Sequence, residues 1–347
     1  MTIASIFFFA LRRKIGLRQR LVLAQALSFD QISGVVGLVR NVLLGTLAVE
    51  GAGALILMLR FWPEFGLGRA VWYGMFHSVS AYCNAGFDVL GDLASGGSLC
   101  GYVDDPVVNL TIMALITIGG LGFAVWGDIR KNRRFSRLSV YSRLVVAISL
   151  GLTLGGAAVI ALLEWNNPGT IGGLTAGGKV LASLFQSVTL RTAGFASFDQ
   201  NALRDVTKAV CDVLMFVGGS SGSTAGGVKT VTVGVLVLAA VGTARGRTHI
   251  TAFKRTIPQS TVANAGSIAL LMLTLGAVGA GTIAVIDGVS FENAIYETIS
   301  ALCTVGLTTG ITSGLGLASC LILIIFMFFG RVGIMTISIG FLTASRA

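Results

Sequence analysis

A short pattern recurs three times along the chain: Phe76 to Phe87 reads FHSVSAYCNAGF, Phe185 to Phe195 reads FQSVTLRTAGF, and Tyr296 to Leu307 reads YETISALCTVGL. Each copy opens on an aromatic residue, runs through an amphipathic stretch containing Ser or Thr, and closes on small or polar residues that lead into a glycine: Gly86, Gly194 or Gly306. The glycines recur about every 110 residues, a period far too long for a soluble solenoid and suited to a multi-helix membrane module. With 54% hydrophobic and only 12% charged residues in 347, the apolar side chains exceed what one water-soluble core hides, so the chain belongs in a bilayer. Its 47 glycines and 4 prolines, set in uniformly apolar sequence, point to closely packed helices and irregular backbone at membrane depth rather than to disorder.

Charge gives the topology. The net charge of +10 sits in short clusters between apolar spans, which reads as membrane orientation and not as a nucleic-acid surface. Residues 3–11 are apolar, with Arg12, Arg13, Lys14, Arg18 and Arg20 behind them; this order is wrong for a secretory signal and fits the end of a membrane helix. A span from Val35 or Val42 to Leu59 follows, with Trp62 and Pro63 marking the opposite interface. The run from Val71 to Tyr82 is too short to cross and is expected to be a re-entrant half-helix. A loop with Asp88, Asp92, Asp104 and Asp105 leads to a return span from Val107 to Trp126, ending in Arg130, Lys131, Arg133, Arg134 and Arg137.

The order then repeats. A span from Leu144 to Leu163, interfacial Trp165, a half-helix from Lys179 to Leu190 and a return span through Val237 end at Arg245, Arg247, Lys254 and Arg255. A third unit has its span at Ile268 to Ile286, its half-helix at Phe291 to Leu302 and its return at Leu317 to Leu342, closing on Arg346. With re-entrant half-helices every basic cluster falls on one side of the membrane; with full crossings the clusters alternate. The return spans share a Gly-x-x-Gly mark at Gly119 to Gly122, Gly219 to Gly222 and Gly330 to Gly333. The expected division is 1–30 as the end of an earlier unit's return helix with its cytoplasmic loop, then units at 31–137, 138–255 and 256–347.

A half-helix that stops inside a membrane leaves backbone groups without partners, which is tolerated where they line a cavity or are buried in protein. Thr304-Val305-Gly306 is like the start of the carbonyl-lined filter of potassium channels, where stretched backbone replaces an ion's water shell. The five cysteines form no CxxC pair and have no His at ligand spacing, and no Ser/His/Asp set or carboxylate pair stands at a catalytic spacing, so neither a metal site nor an enzyme is expected. Gly218 to Thr230, GGSSGSTAGGVKT, interrupts the middle return span with residues that disfavour helix. Its lysine falls one place late for a phosphate loop and no strand precedes it.

On the motifs CNAGFD at Cys83 to Asp88, RTAGF at Arg191 to Phe195 and CTVGL at Cys303 to Leu307, the chain resembles the Trk/Ktr/HKT superfamily of potassium transporters, and the resemblance covers essentially its whole length. It implies an all-α polytopic membrane protein of span, re-entrant loop, span units around a central pore, with three complete repeats plus the end of a fourth. It implies potassium held at the backbone carbonyls of Asn84, Ala85, Gly86, Thr192, Ala193, Gly194, Thr304, Val305 and Gly306. The 218–230 stretch matches an intramembrane gating loop, with Gly219, Ser220, Ser221, Gly222, Gly226, Gly227 and Lys229, contacted by Arg331 of the last return span. A homodimer in the cell membrane, basic loops cytoplasmic, seated on a ring of nucleotide-binding regulatory subunits, is the implied assembly; the chain itself is expected to hold no cofactor. The alternative is a truncated or non-conducting subunit or scaffold that requires a separate first repeat. Glu50 is expected to hydrogen-bond inside the bundle, with ion binding as the alternative, His77, which aligns with Gln186 and Glu297, to be a packing or helix-end position, and Arg191 to point behind the filter towards a carboxylate.

Overall fold

The computed structural model describes residues 35–332 apart from 92–96, 247–248 and 254. The expected segment 1–30, Asp92, Arg247, Lys254, Gly333 and the remainder of the last span lie outside these residues. Ten helices make the described fold: α1 (Val35–Tyr82), α2 (Pro106–Leu121), α3 (Phe123–Asn132), α4 (Val140–Glu164), α5 (Ala176–Thr189), α6 (Asp205–Phe216), α7 (Thr230–Ala244), α8 (Gln259–Asp287), α9 (Phe291–Leu302) and α10 (Leu317–Val332). Short 3-10 turns and one two-residue antiparallel hairpin, β1 (Thr251–Ala252) with β2 (Arg255–Thr256), complete it.

Helix runs through Trp62 and Pro63, the residues read as marking an interface, and the chain reverses at Gly66. Gly66 has φ 74° and ψ 162°, a region that essentially glycine alone occupies. Past it residues 67–82 fold back along 35–65, so that Gly74 lies against Ala54 and Met58, the Ser78 hydroxyl donates to Glu50 O at 2.6 Å, and Thr46 Oγ1 meets Tyr82 Oη at 3.1 Å. The same hairpin of long and short helix recurs in α4 with α5 and in α8 with α9. At matching places Gly53 packs on Ser78, Gly156 on Ser187, and Gly279 on Thr298 and Phe326. The short helices start where a side chain caps them: Thr175 accepts from Gly178 N at 3.1 Å and Ser290 from Asn293 N at 3.4 Å.

The return span predicted from Val107 to Trp126 is not continuous. It is broken at Gly122 (φ 84°, ψ 152°), and α3 leaves α2 at 93°. The middle return is α6 and α7 separated by the non-helical 217–229, as the glycine and serine content leads one to expect. Segments Arg40–Tyr82, Val140–Glu164 and Gln259–Asp287 are long and apolar enough to cross a membrane, α2 with α3 being a fourth if taken as one bent span. Their outward faces carry Leu44, Leu47, Leu150, Leu270, Val278 and Val285, all exposed, a distribution that suits lipid and not water.

Candidate functional site

The three repeated loops converge at their glycines. A Cβ built on Gly86 reaches 2.9 Å from Gly194 Cα, and one on Gly306 reaches 3.7 Å from the same atom, so backbone approaches backbone where a side chain has no room. Their conformation is the same in each: Gly86, Gly194 and Gly306 have φ of 72°, 87° and 95°, and two residues earlier Asn84, Thr192 and Thr304 have φ of 50°, 66° and 55°. Three non-glycine residues held left-handed at matching places cost about 1–2 kcal/mol each, which the surrounding hydrogen bonds offset.

Those bonds start at the end of each short helix. Ala85 N donates to Ser80 O at 2.9 Å, Ala193 N to Thr189 O at 2.9 Å and Val305 N to Ser300 O at 2.8 Å. In a planar trans peptide the carbonyl of one residue points opposite to the N–H of the next. The Asn84, Thr192 and Thr304 carbonyls are therefore turned away from their own helices, and none accepts a hydrogen bond from another described residue. Past the glycine, a hydroxyl closes each loop: Ser80 donates to Phe87 O at 2.7 Å, Thr189 to Phe195 O at 2.7 Å and Ser300 to Leu307 O at 2.6 Å. These three hydroxyls escaped the sequence reading, although the repeat places Ser or Thr there in every copy.

One position of the repeat braces the loops from behind in two copies. Buried Glu297 accepts from Thr308 Oγ1 at 2.5 Å, Thr309 N at 2.9 Å and Thr312 Oγ1 at 2.8 Å, holding the segment that leaves the third loop. Gln186 donates to Gln200 Oε1 at 2.6 Å, and Tyr296 Oη shares that oxygen at 3.1 Å. The third equivalent, His77, is fully buried, with Nδ1 2.7 Å from Tyr73 O and its ring edge-on to Phe61 and Phe76. Glu50 meets Cys83 Sγ at 3.8 Å. Arg191 does turn away from the glycines, but the expected carboxylate is not its partner: its guanidinium donates to Ser149 O at 3.3 Å, Ser149 Oγ at 3.0 Å and Thr230 Oγ1 at 3.4 Å. Of the outer-loop acids, Asp105 caps α2 through Val107 N and Val108 N and ion-pairs with Arg60, and Asp88 accepts from Gly91 N.

Residues 218–229 wedge against this arrangement at the C-terminal ends of the first and third short helices. The ends are closed by Gly218 N on Val228 O at 2.9 Å and by the Thr230 hydroxyl on Gly218 O at 2.7 Å, with Thr230 N on Gly219 O. One flank seals the break in the first return span: Ser220 N donates to Gly120 O, the Ser220 hydroxyl to Leu121 O, and Phe123 N to Gly222 O, while Tyr141 Oη donates to Ser221 O at 3.0 Å. At the other side Gly226 and Gly227 lie beneath the third loop; a Cβ on Gly226 overlaps Thr304 Oγ1 and comes 3.2 Å from Cys303 O. Lys229 folds back on Ala225 O at 2.9 Å, and Arg331 of α10 donates to Thr224 O at 2.7 Å. All the residues singled out in this stretch thus lie within one assembly under the converging loops. The Gly-x-x-Gly mark has a packing cause in two returns, since Gly119 abuts Tyr82 O and Gly330 abuts Leu302 O, at matching ends of the first and third short helices.

Apolar-faced helical hairpins arranged by repeat around convergent backbone loops define the chain as a helical membrane transporter. It belongs to the TrkH family of cation transport proteins, whose model matches residues 11–345; that family transports ions and is not one of enzymes. The chain is 37% identical over 341 residues to the Ktr system potassium uptake protein B of Bacillus subtilis, covering 98% of this chain and 76% of that one. It is 36% identical over 352 residues to the potassium/sodium uptake protein NtpJ of Enterococcus hirae, covering 100% of this chain and 77% of that one. In fold it is similar to the crystal structure of the potassium transporter TrkH from Vibrio parahaemolyticus, with a TM-score of 0.71, 20% identity, and coverage of 92% of this chain and 67% of that one.

Proposed function

We propose that this chain takes up potassium across the cell membrane, down its electrochemical gradient, through a channel-like pore. The observation that carries this reading is the threefold loop geometry. Carbonyls of Asn84, Thr192 and Thr304 face away from their helices and accept no hydrogen bond from another described residue, two places before glycines that converge, which suits the replacement of a cation's hydration shell. Ala85, Gly86, Ala193, Gly194, Val305 and Gly306 continue those strands and complete the selectivity filter. Inside-negative voltage is sufficient to drive the flux, at about 2.3 kcal/mol per charge per 100 mV. Two of the relatives above are named for potassium uptake, one of them for potassium and sodium.

On this reading residues 31–137, 138–255 and 256–347 are successive repeats after the end of another at 1–30. The 218–229 segment is the gate, held shut by Arg331. The protein is a multi-pass homodimer whose basic cytoplasmic side, with Arg130, Lys131, Arg133, Arg134 and Arg137, docks a ring of nucleotide-binding regulators; the naming of the Bacillus relative as part of a Ktr system agrees with such a partner. The test is uptake of radiolabelled rubidium into liposomes holding the purified full chain under an inside-negative potential. Uptake competed by potassium and abolished by Gly306→Asp is the expected result. Absence of uptake by correctly assembled protein, or uptake indifferent to that substitution, overturns the reading.

A further inference from the structure

One side chain of the wedge, that of Thr224, hydrogen-bonds the first loop. Thr224 donates its backbone N–H to Gly119 O at 3.3 Å, offers its carbonyl to Arg331 at 2.7 Å, and directs its hydroxyl to Tyr82 O at 3.0 Å. The same hydroxyl is 3.3 Å from Asn84 Oδ1, and the amide nitrogen of Asn84 reaches Arg191 O at 3.4 Å, one residue before Thr192. Arg191 in turn bonds Thr230, whose hydroxyl holds Gly218 at the root of the wedge. A closed circuit therefore runs from the tip of the wedge, through the first loop and the second, and back to its base. Asn84 is its hinge, because a side-chain amide both accepts and donates.

We infer that Thr224 is a positioning residue that couples the seat of the 218–229 segment to the register of the Asn84 and Thr192 strands, so that gating and ion discrimination share one hydroxyl. This rests on the reading that the loops are a filter and the segment a gate. Departure of the segment removes the Thr224 hydroxyl from Tyr82 O and Asn84 together, and Asn84 is then free to release Arg191 O. Ser220 gives the contrast. It binds Gly120 and Leu121 of α2 and makes no hydrogen bond with a filter strand among the described residues, so its loss loosens one flank of the segment while the Thr224 hydroxyl stays on Tyr82 O and Asn84.

The experiment uses the full chain in liposomes and reads two quantities: rubidium influx, and the ratio of sodium to potassium concentrations that halve it. Thr224→Val keeps the shape and removes the hydroxyl; the expected result is raised influx with discrimination reduced about fivefold, the worth of one net hydrogen bond. Thr224→Ser keeps the hydroxyl and is expected to restore the wild-type ratio, which excludes misfolding as the cause. Ser220→Ala is expected to raise influx at an unchanged ratio. An unchanged ratio in Thr224→Val, or an equal fall in Ser220→Ala, overturns the coupling while leaving the transport reading intact. A silent wild-type protein instead removes the transport reading beneath it.

Discussion

Ser300 shows how much one hydroxyl does at the convergence. It donates to Leu307 O and accepts from Gly306 N at 3.1 Å, closing the third loop from both sides of its glycine. Ser300→Ala leaves both groups without a partner, at a cost of about 1–3 kcal/mol. The expected outcome is a lower unfolding temperature in detergent together with weaker preference for potassium over sodium in flux assays. Ser300→Thr should keep both properties, because the middle copy already uses Thr189 at this place, with its bond to Phe195 O at 2.7 Å. Equal loss in the two variants shows that packing rather than the hydroxyl matters there. The neighbouring register position tells a different story: Glu297, Gln186 and His77 share a place but not a partner set, so their residue types diverged with what stands behind each loop.

Among the elements, the sequence pattern located all three short helices and the long spans they pair with, because length and apolarity alone decide what crosses a bilayer. The half-helix predicted at Phe291 to Leu302 coincides with α9, and the predicted Lys179 to Leu190 lies almost wholly within α5. The turn at Gly66 and the break at Gly122 were not legible, since a single glycine in an apolar run reads equally as helix packing; only the positive φ reveals the need for one. These two positions give a paired prediction. A side chain at Gly66 meets nothing within 4 Å, so Gly66→Ala costs only its backbone strain, about 1–3 kcal/mol. At Gly122 the added Cβ also meets Ser220 Oγ at 2.5 Å and Ser221 O at 3.1 Å, so Gly122→Ala should lower thermal stability further and raise resting rubidium influx. Comparable stability and unchanged influx in the two variants contradict the described seat of the wedge.

At the scale of the molecule, Arg331 carries a charge into an apolar helix, where a cation costs at least about 2.5–3.5 kcal/mol without acceptors. The Thr224 carbonyl is such an acceptor, and the bond ties the last helix to a segment about a hundred residues earlier. Arg331→Ala should release that segment and raise uptake under resting conditions; unchanged or lower uptake by normally assembled protein argues against a latch. The motifs led to the expectation that Arg331 touches this stretch, but the sequence alone did not show that Thr224 is the residue grasped, because no local pattern distinguishes it from its serine and glycine neighbours. The equivalent places in the three loops carry Asn84, Thr192 and Thr304, three different surroundings for one backbone shape. A ring of identical subunits inherits every substitution at all its positions at once, whereas tandem copies on one polypeptide accept changes one quadrant at a time. On the proposed reading, selection can thus adjust a single wall of the passage, or the wedge beneath it, while the remaining walls keep the geometry that an ion requires.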